Sequence, residues 1–283
     1  MYYIFLVVKV LALLLPRSIG YFIAKNLALL QYYLCKNDRE NVLYNLEPII
    51  EDKTKIKKVA KKVFINFAYY LVDFFRCSKF NSDFIKKYVK VSGLENVDQS
   101  LRSDDGVVLL TAHLGNYELA GTITSLLGYN FSAVALPHKD KRTNNLFNHQ
   151  RQVAGIKVIP TGAGVKKCFS ALKGNGVLGL LGDRDFSGKG LKTKMFSRYA
   201  YLPRGFAFFA LKVGVNVVPC FMIRKRKYHY HFYFEKPIIA QRSGAMSQET
   251  IVEDYTKVLE RYIQKYPDQW YLFIKYWIEN DKS

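Results

Sequence analysis

Apolar residues along this chain gather in short runs whose period changes from stretch to stretch. Residues 107–112, 131–136, 157–160, 176–181, 215–223 and 229–234 read as strands, each bounded by glycine, proline or polar positions. The first of these, Val-Val-Leu-Leu-Thr-Ala, shows no alternation, as expected of a strand covered on both faces. His229-Tyr-His-Phe-Tyr-Phe234 alternates with period two and is expected to pair antiparallel with 215–223 through the basic turn Arg224-Lys-Arg-Lys227. Helices are predicted over 117–127, 143–154, 165–173, 206–213 and 248–265. Strand and helix therefore alternate from Gly106 onward, which predicts an α/β fold: a central mixed, mainly parallel sheet flanked by helices. Residues 36–100 read as a helical lead-in, with Ile56, Val59, Ala60 and Val63 on one side of a helix and Lys55, Lys58 and Lys62 on the other. We take 101–283 as the α/β domain and 36–283 as one globular unit.

The first 35 residues are different. From Tyr2 to Leu15 the single charge is Lys9, Pro16 and Arg17 interrupt, and Ile19 to Leu34 continues apolar apart from Lys25, Asn26 and Gln31. Neither run reaches the ~18 uninterrupted apolar residues of a spanning helix. No basic stretch precedes them and no small-residue cleavage site follows, so a cleaved signal is not expected. Three readings stay open: a short or tilted membrane helix, a helical pair in the interface with Lys9 and Lys25 reaching for water, or a buried helical hairpin. We take residues 1–35 as a membrane-associated helical segment.

Charge sharpens this picture. With 43 Lys and Arg against 23 Asp and Glu the chain carries +20, which draws polyanions: nucleic acid, an anionic bilayer or an acidic protein. An aromatic content of 15% and the greasy N-terminus favour the bilayer, and no helix-turn-helix, RNA-recognition or zinc-finger pattern supports nucleic acid. Beside the aromatic residues 63–75, the lysine row fits anionic headgroups at ~1 kcal/mol per cation. Cys35, Cys77, Cys168 and Cys220 form no C-x-x-C pair and read as reduced thiols.

Candidate chemistry begins where the unalternating strand ends. His113 and Glu118 lie five residues apart across Gly115 and Asn116, which supply a strand-to-helix turn. At the carboxyl end of a sheet strand an imidazole can act as a base, and a carboxylate accepting one ring N–H would fix its tautomer. The plainer account is a capping histidine and a first-turn acid. Asp183 and Asp185 could hold a hard cation or orient Arg184, and Arg184 would repel the cation; we take the structural role. Gly162-Ala-Gly164 precedes a helix and could face a phosphate. His138 sits in a loop after a strand.

The block Gly106-Val-Val-Leu-Leu-Thr-Ala-His-Leu-Gly-Asn-Tyr-Glu-Leu-Ala-Gly121 resembles the H-x-x-x-x-[DE] motif of the lipid A biosynthesis acyltransferase family, the lauroyl and myristoyl transferases. Other stretches resemble it in order: 41–46, Phe64 to Arg76, 91–96, Asn148 to Gly155 with Arg151, Gly176 to Asp185, Pro203-Arg204-Gly205 through Pro219, and Pro267-Asp-Gln-Trp-Tyr271 with Trp277. Tyr117 replaces a usual Trp, Arg184 a usual Gln, and Met195-Phe-Ser-Arg-Tyr199 a Phe-Phe-Gly run, which leaves acyl and acceptor preference open. The resemblance implies an O-acyltransferase at the cytoplasmic face of a bacterial inner membrane, with 101–283 as catalytic domain and no metal or other cofactor. It implies an acyl carrier protein as donor, with acyl-CoA as the alternative, and an anionic glycolipid as acceptor, a lipid A precursor or relative; a lysophospholipid acceptor and a non-catalytic lipid-binding protein remain as alternatives. His113 and Glu118 are then expected to be base and orienter, and Asn116, Arg151, Arg184, Asp185 and Arg204 to contact substrate. No Ser or Cys occupies a nucleophile elbow, so the hydroxyl would attack the thioester directly.

Overall fold

The described residues, 2–102, 106–161, 164–239 and 246–278 of a computed structural model, place the doubly apolar run at the centre of a sheet. Its strands are β1 (Val89–Ser92), β2 (Val107–Thr111), β3 (Phe131–Ala135), β4 (Lys157–Pro160) and β5 (Val177–Leu181), while β6 (Leu191–Met195) and β7 (Arg198–Leu202) form a separate antiparallel ribbon. The last two, β8 (Asn216–Arg226) and β9 (His229–Phe234), complete the order β1-β9-β8-β2-β5-β3-β4. Every neighbouring pair is parallel except β8 with β9. This is the expected mixed, mainly parallel sheet. The basic turn is tighter than anticipated, because β8 runs on to Arg226 and only Lys227 and Tyr228 turn.

The helices are α1 (Tyr2–Leu14), α2 (Arg17–Leu34), α3 (Lys36–Leu46), α4 (Ile56–Phe75), α5 (Ser82–Tyr88) and α6 (Leu94–Leu101) in the first part of the chain. From there α7 (Tyr117–Leu126), α8 (Lys141–Val153), α9 (Val165–Leu172), α10 (Gly205–Val213) and α11 (Gln248–Lys265) alternate with strands. Two elements were not anticipated. Strand β1 is four residues long and follows a helix without a break, and the outward side of the β6–β7 ribbon is Lys192, Lys194, Tyr199 and Tyr201, so neither offered a long apolar run.

Alternation along β2 divides the interior in two. Val107 and Leu109 pack with Leu119 and Ile123 of α7, whereas Val108 and Leu110 pack with Phe206 and Ala210 of α10 and with Tyr255 and Leu259 of α11. Since α7 follows β2 directly, the sheet face it covers and the carboxyl end of the central strand meet at one place.

The first helices are fastened to this body by one buried ion pair. Arg17, opening α2, reaches Asp73 of α4 at 2.8 Å; Asp73 also accepts the Tyr21 hydroxyl at 2.6 Å and the hydroxyl of Tyr230 in β9. The Arg17 guanidinium stands 4.8 to 5.9 Å from the ring centres of Tyr21, Phe80, Phe84, Tyr88, Tyr228 and Tyr230. Guanidinium over aromatic faces is favourable, and a buried charge that loses its partner is not. Asp73→Ala is therefore expected to cost about 3–5 kcal/mol of unfolding free energy, read as a lower urea midpoint at unchanged slope.

Candidate active site

Residues 112–116 carry the chain from β2 into α7, and their geometry is tightly determined. Gly115 has φ of +66°, and a Cβ there would lie 2.2 Å from the Met222 carbonyl oxygen, so a side chain is excluded. The Gly115 N–H donates to the Gln269 carbonyl at 2.8 Å, the Asn116 N–H to that of Met222 at 2.8 Å, and the Tyr271 N–H to that of His113 at 2.7 Å. Asn116 Oδ1 accepts from the Leu119 N–H at 3.0 Å and caps α7. His113 is thus held from three sides at the carboxyl end of the central strand.

What meets its ring is Asp183. Thr111 and Leu181 are opposite each other in the β2–β5 pairing, so residues 113 and 183, two places beyond each, emerge side by side. His113 Nδ1 lies 2.8 Å from Asp183 Oδ1, and Asp183 Oδ2 accepts the His113 backbone N–H at 3.0 Å and the Trp270 indole N–H at 3.3 Å. Burial of Asp183 pushes its carboxyl up, but the His113 ring, its backbone N–H and Trp270 outweigh burial and hold it below its ordinary value. An ionised carboxylate only accepts, which assigns the proton to Nδ1 and leaves Nε2 as the acceptor.

Glu118, expected to orient this imidazole, is engaged elsewhere. Arg151, in the last turn of α8, donates Nη2–H to Glu118 Oε1 at 2.6 Å and Nε–H to both carboxylate oxygens at 3.1 Å. The reason is positional: past the Gly115 turn, Glu118 faces α8, and a guanidinium fork matches a carboxylate better than a single ring N–H does. Burial alone would lower the Arg151 guanidinium, yet Glu118 drives it upward.

His113, Glu118, Arg151 and Arg184 all border one cavity of about 490 Å³. Its inner part passes between α7 and the sheet, along Thr111, Leu109, Gly121 and Gly179 to Phe131. On the other side of His113 it reaches Phe5 of α1, Phe67 and Tyr70 of α4, and the exposed Leu136 and Phe186. The lining is overwhelmingly apolar; polar groups gather around the imidazole. Such a volume suits a small molecule or one chain of a lipid.

The remaining candidates are dispersed. Arg184 borders the cavity with its guanidinium 4.7 Å from the Phe186 ring. Asn116 is buried, with Nδ2 among the unpaired polar atoms of the described residues, as is Thr111 Oγ1 on the cavity wall. Asp185 spends its oxygens on its own loop, accepting from the Ser187 N–H and hydroxyl and the Gly190 N–H at 2.7 to 3.0 Å; burial raises its carboxyl and these donors bring it below its ordinary value. Arg204 is exposed at the start of α10 and does not border the cavity. Both placements have a local origin, a loop that uses its own acid and a helix start that faces solvent. His138 does border the cavity, 4.6 Å from the Phe147 ring, and burial lowers its pKa. Gly162 and Ala163 lie outside the described residues; Gly164 precedes α9. Cys77, Cys168 and Cys220 are buried and Cys35 is exposed.

Sequence reasoning missed Asp183 as the partner of His113, and Trp270 behind it. The sequence placed both residues just past the ends of strand runs; the equal offset, two places beyond Thr111 and Leu181, is visible only once the two strands are known to be neighbours.

The model of a family described as bacterial lipid A biosynthesis acyltransferase matches residues 1–279. The phosphatidylinositol mannoside acyltransferase of Mycobacterium tuberculosis is 25% identical over 194 residues, 66% of this chain and 60% of that protein. The phosphatidylinositol mannoside acyltransferase of Mycolicibacterium smegmatis is 23% identical over 226 residues, 75% of this chain and 70% of its own length.

The Asp183 contact fixes two measurable properties. In Asp183→Asn the His113 ring should lose its single tautomer, seen in the imidazole nitrogen chemical shifts. Because the folded-state pKa of Asp183 lies below its unfolded value, the stability it contributes is present above ~3.9 and lost as pH falls through the folded value. The unfolding free-energy gap between wild type and Asp183→Asn should then shrink below about pH 4; a gap that stays constant or widens there contradicts the pairing.

Proposed function

We propose, given that this chain belongs to the bacterial lipid A biosynthesis acyltransferase family, that it moves a fatty acyl chain from a thioester to a hydroxyl of a glycolipid at a membrane surface. The observation that carries this is an imidazole whose Nδ1 is locked on a buried carboxylate at the rim of an apolar cavity. Nε2 of His113 takes the proton of the acceptor hydroxyl, the oxygen attacks the thioester carbonyl carbon, and the carbon–sulfur bond breaks. The proton then passes from the imidazolium to the departing sulfur. Asp183 keeps the ring in the required tautomer and stabilises the imidazolium. Glu118 and Arg151 form a rigid, nearly neutral wall, and Arg184 offers a cation to phosphate groups of donor or acceptor.

The family description and the names of the relatives all point to glycolipid acceptors, a lipid A precursor or a related acyl-accepting glycolipid. The donor is acyl carrier protein or acyl-CoA; the charge of +20 favours encounter with either.

The outer surface of α1 and α2 supports attachment to a membrane. Tyr3, Ile4, Val7, Leu14, Phe22, Leu27, Leu30 and Leu34 are exposed there, an apolar side of the kind that marks a membrane or partner contact. Among the described residues no helix is long and apolar enough to cross a membrane; on this reading α1 and α2 rest on the surface with their apolar side in the lipid. Lysines of α4 stand beside them, Lys61 Nζ donating to the Tyr33 hydroxyl at 2.7 Å, in position for anionic headgroups. Since Phe5 and Phe67 also border the cavity, a chain has a route from bilayer to imidazole. The cytoplasmic face of the inner membrane is the location this reading assigns.

His113→Ala is expected to lower turnover by ~10²-fold or more, and Asp183→Asn by up to ~10⁴-fold. Lipids extracted from cells with and without the protein should differ by the mass of one acyl residue; unchanged lipids, or full activity in the His113 variant, would end the proposal. Phe22→Asp combined with Leu30→Asp should release the protein from anionic vesicles in a flotation assay.

A further inference from the structure

The inner end of the cavity is closed by Phe131 with Ile156 and Thr124 beside it, and the sequence around Phe131 is cleared to receive its ring. Phe131, the first residue of β3, is 7% exposed and leans along the sheet face towards the carboxyl end. A Cβ on Gly179 of β5 would lie 2.4 Å from Phe131 Cζ, and a Cβ on Gly121 of α7 would lie 3.0 Å from Phe131 Cε1. The ring therefore sits between a strand glycine and a helix glycine, where any side chain on Gly179 would displace it. One level further in, Val107, Val177 and Ile123 are fully buried and do not border the cavity. The channel ends at this ring and at Ile156 and Thr124 beside it.

We propose that Phe131 sets the length of the acyl chain that the protein accepts. The proposal rests on the acyl-transfer reading above and adds the residue that selects among donors. Leu109 of β2 is level with Gly179 and lies four positions before His113, so the path from imidazole to ring is about 13 Å at the strand rise. Carbon–carbon bonds of about 1.5 Å at tetrahedral angles advance about 1.25 Å per carbon, so the path takes a chain of about ten carbons. A longer chain meets the ring and must leave its end outside the slot. Each methylene that does fit is worth about fourfold in affinity.

The test measures binding of free saturated fatty acids, in two-carbon steps on either side of that length, to wild type, Phe131→Ala, Phe131→Leu and Gly121→Val by native mass spectrometry, with far-ultraviolet circular dichroism to confirm folding. Wild type should bind tightest near the stated length. Phe131→Ala should move the optimum to longer chains by several carbons, Phe131→Leu by fewer, and Gly121→Val, which narrows the slot from the helix side, to shorter ones. An optimum common to all folded variants overturns Phe131 as the stop and leaves the acyl-transfer reading intact. If folded wild type binds no fatty acid, both fall. Phe131→Leu, the gentler change, keeps the question answerable should the alanine variant fold poorly.

Discussion

A carboxylate with no access to water organises this molecule's chemistry. Asp183 is fully buried and survives as an anion because three donors converge on it: the His113 ring, the His113 backbone N–H and the Trp270 indole. The donors arrive from two separate parts of the chain. The first two come with the β2–α7 turn, the third with the segment after α11, and Asp183 itself follows β5. Removing any of them would leave buried charge or a buried donor without a partner, which is costly. The site is therefore not an addition to the fold; the register of two parallel strands and the docking of the C-terminal segment are what make it.

The two faces of the sheet serve different ends. On the α10 and α11 side, large side chains such as Phe206, Phe221 and Tyr255 pack without exposure. On the α7 side several positions bordering the cavity are small, Gly179, Ala133, Gly121 and Ala120 among them, so helix and sheet leave a slot between them that Leu109, Phe131 and Ile156 also line. Dense packing on one face supplies the rigidity that lets the other face stay partly unfilled. On the proposed reading, that slot is what would hold an extended apolar chain.

Much of this was legible in the residues. Strong periodicity located the strands at 107, 131, 157, 177, 216 and 229 to within a residue or so, because both-face burial and strict alternation leave few other options for those runs. Strand order was not legible, and that is why the partner of His113 was misassigned to Glu118. Nearness in sequence favoured Glu118; nearness in space, created by β2 lying against β5, favoured Asp183. The fates of Asp185 and Arg204 were hidden for a related reason, since a loop that folds back on its own acid and a helix start that points outward leave no periodic trace. The ribbon at 191–202 does alternate, but its exposed lysines disguise it as loop.

The buried pair at Arg17 has an implication for how the molecule would rest on a lipid surface. Six rings and one carboxylate grip the first residue of α2, and the same carboxylate is shared with Tyr230 on the sheet. The apolar outer side of α2 therefore cannot swivel independently of the strands that carry the imidazole. On the proposed reading, the tilt of the whole body against the bilayer, and with it the height of the imidazole above the hydrocarbon, is dictated from the interior: a contact that no lipid touches determines how deep the protein rides.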